Sequence, residues 1–290
     1  MYQPTRRIVQ WTKENRIDIT CRKEEKSMNQ IPQAILKTKA IGKKIFYFDE
    51  IDSTNLEAKK HKEEVDSNGM VFLAEQQNQG RGRLGRTWVS PKETGIWMSI
   101  LLKPDFDAQL ASQVTLLAAL AAADAIRQAT KQDCRIKWPN DLVLNGKKVC
   151  GILTEMGACD GQVQYMVAGI GINVNTEWFP EEIKETASSL RIEGGIVYSR
   201  EEIIAELLNS FEVYYDEFCA SGSLRSVVNY YNSLLINKGK KVKIVEAVKT
   251  DIGIALGIDE TGGLKVQTED GEERTIISGE VSVRGLYGYV

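Results

Sequence analysis

The chain has 290 residues, 42% of them hydrophobic, and a formal net charge of −3. That is long enough for one large domain with an appendage or for two domains, with a sizeable core. The acidic balance argues against a surface devoted to DNA or to an anionic membrane, no apolar run of the ~18 residues that span a bilayer stands out, and the N-terminus has no apolar signal core.

Residues 1–44 stand apart. They carry 11 Lys/Arg against 4 Asp/Glu, a net of +7, which leaves −10 for the remainder (−3 minus +7). They read as a basic arm or linker, with room for a turn or two of helix or a strand over residues 10–19, and are too short for a three-helix DNA-binding unit. From Lys44 the texture changes. Residues 45–48 (IFYF) form a short apolar strand. Asp52-Ser53-Thr54-Asn55 then supplies N-cap chemistry ahead of a helix-favouring run. The single histidine, His61, lies in the charged stretch AKKHKEEVD and reads as a solvated helix residue.

Residues 70–74 (MVFLA) and 95–102 (GIWMSILL) read as buried strands, and residues 108–130 as a long Ala/Leu-rich core helix. Short strands with tight turns follow. RIKW runs into Pro139-Asn140-Asp141. LVL runs into Asn145-Gly146, a strong two-residue hairpin signal, and residues 147–156 return. Gly161 turns the chain into the strand-like VQYMVAGIGINVN, residues 200–220 read as an amphipathic helix, and residues 224–235 as another. Beyond Gly239, five short strands separated by Gly and Asp turns suggest a small barrel. Five scattered cysteines with no C-x-x-C pair point to reduced thiols and a cytoplasmic protein, and one histidine without clustered cysteines argues against a zinc site.

The segment AEQQNQGRGRLGRTW, residues 74–88, carries the chemistry. Gly80, Gly82 and Gly85 fit G-x-G-x-x-G, but a dinucleotide site needs a helix after the glycines and here a further strand follows. A nucleic-acid segment would need repeated basic stacking units, and there is one. The third reading is an anion-binding loop. Its glycines let successive amides converge, Arg81, Arg83 and Arg86 supply permanently charged planar donors, and Trp88 could cap a flat ligand. A surface turn with solvated arginines stays open. Lys137-Trp138-Pro139-Asn140-Asp141 is either a second polar cluster or a packed corner. Gly169-Ile170-Gly171-Ile172-Asn173 is a strand whose glycines admit a ligand or another backbone closely, or a bulged core strand.

With Asp52 to Asn55, Gly80 to Trp88, Lys137 to Leu142, Lys148 to Glu155 and Gly169 to Asn173 in that order, the chain resembles a biotin protein ligase from about Gly42 onward. The combination of GRGRxGR-x-W with KWPND some fifty residues later is highly specific. The resemblance implies an α+β fold. Its catalytic domain, residues 45–236, would be class II tRNA-synthetase-like with a mixed or antiparallel sheet. An SH3-like β-barrel would follow over residues 237–290. It also implies that biotin and Mg-ATP give biotinyl-5′-AMP, and that the biotinyl group then passes to one lysine of the carrier domain of acetyl-CoA carboxylase or another biotin-dependent carboxylase. Residues 1–44 would be a basic arm or the remnant of a DNA-binding domain, so DNA binding is not expected. Family members dimerise through different surfaces, which leaves a homodimer open.

Residue by residue, the resemblance assigns the biotin end to Ser53, Thr54, Asn55 and Gln77, with Arg81, Gly82, Arg83, Lys148 and Gly151 around the acid and the closing loop. Arg83, Gly85, Arg86, Trp88, Asn140, Asp141, Lys148 and Asn173 fall on the ATP and adenylate side, with Trp88 over the adenine. Lys148, Arg83 and Arg81 carry the catalytic charge, and Lys147 is the solvated neighbour. Mg²⁺ arrives with ATP near Asp141, without a protein cage. A neutral urea ring suits hydroxyls and amides better than charges, and joining a carboxylate to a triphosphate needs cations where charge builds up. The alternatives are a lipoate ligase or octanoyltransferase of the same fold, and a biotin-responsive DNA-binding repressor.

Overall fold

The computed structural model describes residues 6–10, 35–245, 250–277 and 282–285. In chain order the first part holds β1 (Arg6–Gln10), β2 (Lys44–Phe48), α1 (Thr54–Lys60), β3 (Met70–Ala74), β4 (Gly95–Leu102), α2 (Ala111–Thr130), β5 (Arg135–Lys137), β6 (Asp141–Leu144), β7 (Lys147–Cys159) and β8 (Gln162–Asn173). Three helices follow, α3 (Leu190–Gly194), α4 (Arg200–Ser221) and α5 (Val228–Leu234). The chain ends in β9 (Lys241–Val245), β10 (Thr250–Ile258), β11 (Leu264–Thr268), β12 (Glu273–Ile276) and β13 (Ser282–Gly285).

The first eight strands make one mixed sheet in the order β1-β2-β3-β4-β8-β7-β6-β5, in which the β2–β3 pair is parallel and the other pairings are antiparallel. The last five make an antiparallel sheet in the order β12-β11-β10-β9-β13, consistent with an SH3-like module. Successive residues of a strand face opposite sides, and the cores follow that rule. Val71 and Leu73 of β3, Ile96, Met98 and Ile100 of β4 and Ala168, Ile170 and Ile172 of β8 lie in the main core with α2 and α4. Phe46, Met70, Phe72 and Val167 point the other way, into a smaller cluster that includes Ala58 of α1. The site lies on this second face.

Helix α2 buries 15 of its 20 residues, because Ala and Leu recur on nearly every side. By length and composition, residues 108–130 could cross a bilayer, and the sequence reading did not single the run out. In the fold, 83% of its most apolar window is buried, so it serves as a core helix. The Asn145-Gly146 turn links β6 to β7 with φ of 48° and 80°, the double positive φ that this pair favours.

Two expectations are corrected. His61 is 4% exposed, not solvated. Helix α1 ends at Lys60, and the imidazole turns inward against the Phe46 and Phe72 rings at 5.1 and 5.0 Å. The expected helix over residues 224–235 narrows to α5. Residues before it form a turn tied to the C-terminal sheet through the Leu224 amide, which donates to the Glu260 carbonyl at 3.0 Å. The strand at Arg6–Gln10 pairs antiparallel with β2 and extends the sheet. The helix or strand expected over residues 10–19 falls mainly outside the described residues.

Candidate active site

Strands β4, β7 and β8 run side by side, so their alternate residues share the face that α1 partly covers. On that face Gly151, Gly169 and Gly171 form the floor of a small cleft also lined by Ser53, Thr54, Asn55, Gln77, Arg81, Gly82, Arg83, Trp88, Asn140 and Lys148, while Ser99 and Glu155 are hydrogen-bonded to the lining residues Thr54 and Asn55. All the residues assigned to the biotin end line the cleft. Arg83, Trp88, Asn140 and Lys148 join it from the nucleotide list, whereas Gly85, Arg86, Asp141 and Asn173 lie outside its immediate lining.

The glycine-arginine segment begins where β3 ends and folds back over the cleft. The Trp88 amide donates to the Gly80 carbonyl at 2.8 Å, and the Gly82 amide to the Arg86 carbonyl at 2.7 Å. Gly80 is required here, since a Cβ would sit 2.2 Å from the Trp88 carbonyl oxygen. Leu84 takes a φ of 57° and is 78% exposed, so it crowns the turn and contributes no charge. No helix suited to a dinucleotide follows. The Trp88 indole lies against the backbones of Gly171 and Gly151, where a Cβ would come within 2.6 and 2.8 Å of it. The two strand glycines thus make room for an aromatic side chain, and the Trp88 Nε1 is buried inside the cleft without a partner.

The charged end gathers around β6 and the start of β7. Lys148 Nζ lies 2.5 Å from Asp141 Oδ1 and 5.1 Å from the Trp88 ring centre. Its backbone is clamped on both sides. Its amide donates to the Thr186 carbonyl at 2.8 Å, and its carbonyl accepts from the Ser188 amide at 2.9 Å. Asn173 donates to the Ser188 carbonyl at 3.1 Å, so it supports this clamp from outside the cleft. Lys147 points away and donates to the Lys184 carbonyl. Arg83 Nη1 donates to Asn140 Oδ1 at 2.7 Å, and Asn140 in turn donates to the Ile152 carbonyl at 3.0 Å. Burial pulls the Arg83 guanidinium below its usual pKa, with Asp141 opposing and Arg86 adding to the effect. The site therefore holds partly desolvated cations where an incoming anion would be attracted most strongly.

The opposite end is lined mainly by neutral polar groups, with Arg81 at its rim. Thr54 N and Oγ1 lie 2.9 and 3.1 Å from Gln77 Oε1, and Gln77 Nε2 donates to Ser90 Oγ at 2.9 Å. Asn55 Nδ2 donates to Glu155 Oε2 at 2.8 Å, and Lys59 Nζ to Glu155 Oε1 at 2.6 Å. Burial works to raise the Glu155 carboxyl, but the hydrogen bonds from Lys59 and Asn55 and the charges of Lys59 and Arg81 together hold the group below the usual carboxylate range. Arg81 reaches the same carboxylate at 4.0 Å and stays half exposed. Sequence reasoning missed Ser99, Glu155 and Lys59. Ser99 is the one polar side chain in GIWMSILL, and Glu155 is the acid that follows apolar KKVCGILT, signals that mark polar groups facing a buried site. Among the described residues there is no cluster of three His, Cys, Asp or Glu side chains that could cage a metal ion.

Comparison with known proteins adds to this geometry. A model of the Biotin/lipoate A/B protein ligase family matches residues 46–173, and one of the Biotin protein ligase C terminal domain matches residues 239–284. The chain is 37% identical over 238 residues to the Bifunctional ligase/repressor BirA of Bacillus subtilis, covering 81% of this chain and 73% of that protein. It is 32% identical over 227 residues to the Biotin--[acetyl-CoA-carboxylase] ligase of Paracoccus denitrificans, covering 77% of this chain and 93% of that one. The solved Biotin protein ligase from Aquifex aeolicus in complex with biotin and ATP superimposes with a TM-score of 0.72 at 32% identity, over 83% of this chain and 98% of that one.

Proposed function

The chain belongs to the biotin protein ligase family, and we propose that it activates biotin with ATP and transfers the biotinyl group to a lysine of the carrier domain of acetyl-CoA carboxylase or another biotin-dependent carboxylase. The observation that carries this reading is the polarity of one cleft. Hydroxyl and amide groups of Thr54, Asn55 and Gln77 line one end, and Lys148 and Arg83 crowd the other. A ligand with a neutral polar ring and an anionic tail matches that division.

In the first step the biotin carboxylate oxygen attacks the α-phosphorus of ATP. The new O–P bond forms as the bond to the β-phosphate oxygen breaks, and pyrophosphate leaves. Lys148 and Arg83 offset the repulsion between the two anions and the charge that builds on the phosphoryl oxygens. In the second step the acceptor lysine, as a free amine, attacks the acyl carbon, and AMP leaves with the bonding electrons. Proximity of an activated acyl group to an amine carries that step without a side-chain nucleophile. Arg81, Arg83, Gly85 and Arg86 belong to the loop that retains the adenylate, and Trp88 packs beside the nucleotide base. Mg²⁺ enters with the triphosphate. Asp141, paired with Lys148 at 2.5 Å and outside any cluster of three His, Cys, Asp or Glu among the described residues, would meet an ion bound mainly by phosphate oxygens and water. When bound, the ion would supply positive charge to the leaving pyrophosphate. On this reading residues 45–236 are the catalytic unit and residues 237–290 the SH3-like module.

The test is carrier modification. The purified chain, biotin, ATP and Mg²⁺ are incubated with a carboxylase carrier domain, and biotinylation is read with streptavidin and by intact mass. Transfer to one lysine that depends on both ATP and biotin is expected. Modification with lipoate or octanoate in place of biotin would overturn the reading.

A further inference from the structure

Glu155 does not line the cleft, yet it lies at the end of a hydrogen-bond chain that does. Asn55 Nδ2 approaches two groups that only accept, the Glu155 carboxylate at 2.8 Å and the Leu153 carbonyl at 3.3 Å. The amide nitrogen must therefore face them, which turns Asn55 Oδ1 toward Ser99. Ser99 Oγ lies 2.5 Å from that oxygen and 2.7 Å from Thr54 Oγ1. It has one proton, and Asn55 Oδ1 can only accept, so the proton goes to Asn55. Thr54 must then donate to Ser99, because two hydroxyl oxygens at 2.7 Å need a proton between them. That spends the Thr54 proton. Gln77 Oε1 takes the Thr54 backbone N–H at 2.9 Å, and its longer 3.1 Å contact is the one left without a proton.

The consequence is chemical. Ser99, Thr54 and Asn55 are 0, 3 and 5% exposed, so water does not scramble the order. Thr54 and Gln77 line the cleft, and with the protons so placed Thr54 Oγ1 and Gln77 Oε1 are left as acceptors, the complement of a cyclic urea N–H. We propose that Glu155 is a positioning residue that sets ligand specificity, its carboxylate fixing the proton order of the Asn55–Ser99–Thr54 chain so that the cleft wall accepts hydrogen bonds from a urea ring. The proposal rests on the reading of this cleft as the biotin site.

Glu155→Gln tests it. Lys59 donates only, so it holds the Gln oxygen and leaves the amide nitrogen facing Asn55 Nδ2, donor against donor. Asn55 turns over, Ser99 donates to Thr54, and Thr54 donates to Gln77, so Thr54 Oγ1 and Gln77 Oε1 each have one acceptor position fewer for the ligand. In biotin-dependent pyrophosphate exchange, E155Q is expected to raise the KM for biotin about tenfold or more with kcat within about threefold, the scale of a buried hydrogen bond left unmade. Ser99→Ala cuts the chain without touching a charge and is expected to raise KM to the same degree. Lys59→Met keeps the carboxylate and the proton order and removes a group that does not line the cleft, so its KM moves by less than about threefold, the range of a partly exposed ion pair. Desthiobiotin shares the urea and lacks the thioether ring, so both substrates shift together in E155Q. Equal KM shifts in E155Q and K59M, or a changed preference between biotin and desthiobiotin, would mean a deformed pocket and overturn the proposal. An unmoved E155Q beside an active wild-type chain overturns this proposal alone. A wild-type chain without biotin-dependent exchange overturns the functional reading with it.

Discussion

Replacing Lys148 with Ala separates catalysis from folding. Its ammonium lies 2.5 Å from Asp141 Oδ1, and the side chain is 24% exposed. The Asp141 side chain is 17% exposed, so losing this partner costs more than a surface pair would, on the order of 1–3 kcal/mol, but the backbone clamp to Thr186 and Ser188 does not involve the side chain. Facing two anions in the cleft, the same charge matters more. At a contact distance of ~4 Å and an effective dielectric of ~20, one unit pair is about 4 kcal/mol. Loss of one preorganised donor to a developing charge costs on the order of 10²–10³ in kcat. Lys148→Ala is therefore expected to stay folded with a modestly lower denaturant midpoint while pyrophosphate exchange falls by about two to three orders of magnitude. Lys147→Ala, whose ammonium reaches the Lys184 carbonyl away from the cleft, is the control and keeps its activity. Exchange is followed with labelled pyrophosphate and unfolding by fluorescence in urea. Near-normal exchange in Lys148→Ala, or an equal loss in Lys147→Ala, would refute the electrostatic reasoning.

Arg83→Ala removes the guanidinium that ties the loop to Asn140 at 2.7 Å, so biotinyl-adenylate should escape and label bystander proteins, with unchanged bystander labelling counting against the loop's retaining role. Gly169→Ala places a Cβ 2.1 Å from Asn55 Oδ1. Overpacking of about 1–3 kcal/mol and a raised biotin KM are expected, and a wild-type KM with a wild-type urea midpoint would show that Asn55 does not need its place. Arg200→Met strips the ion-pair partner from Glu75, whose side chain is 2% exposed, at 2.7 Å. Breaking a buried pair costs about 3–5 kcal/mol, so the urea midpoint should drop sharply, and since Arg200 also donates to the Gly95 carbonyl at 3.2 Å, both ends of the closing segment should loosen. An unchanged midpoint would mean that this pair does not hold the segment.

Elements with strong local signals were legible. Asn145-Gly146 can relieve its double positive φ only in a tight turn, and the strands on either side of it lie where the hairpin reading places them. MVFLA and GIWMSILL match β3 and β4 residue for residue, because runs buried on both faces need no alternation. His61 was misjudged because burial there comes from Phe46 and Phe72, on strands remote from it in sequence, and a run of charges says nothing about the one ring that turns inward. The helix over residues 224–235 was drawn too long because its first turn is claimed by contacts to Glu260, a partner outside any local window. The glycines at 169 and 171 signalled close approach correctly, but not that Asn55 and Trp88 would fill the space. Glu155 and Ser99 stayed hidden for a related reason. Their role depends on which way a proton points in a chain assembled from α1, β4 and β7, and that order exists only after the sheet has formed.

The measurement that bears most directly on the central claim is biotin-dependent ATP–pyrophosphate exchange by the purified chain, with lipoate and octanoate run in parallel. Exchange with biotin and none with the other two acids is the expected result. Exchange that requires lipoate or octanoate, or that proceeds without any of the three acids, would contradict the assignment of this cleft to biotin activation.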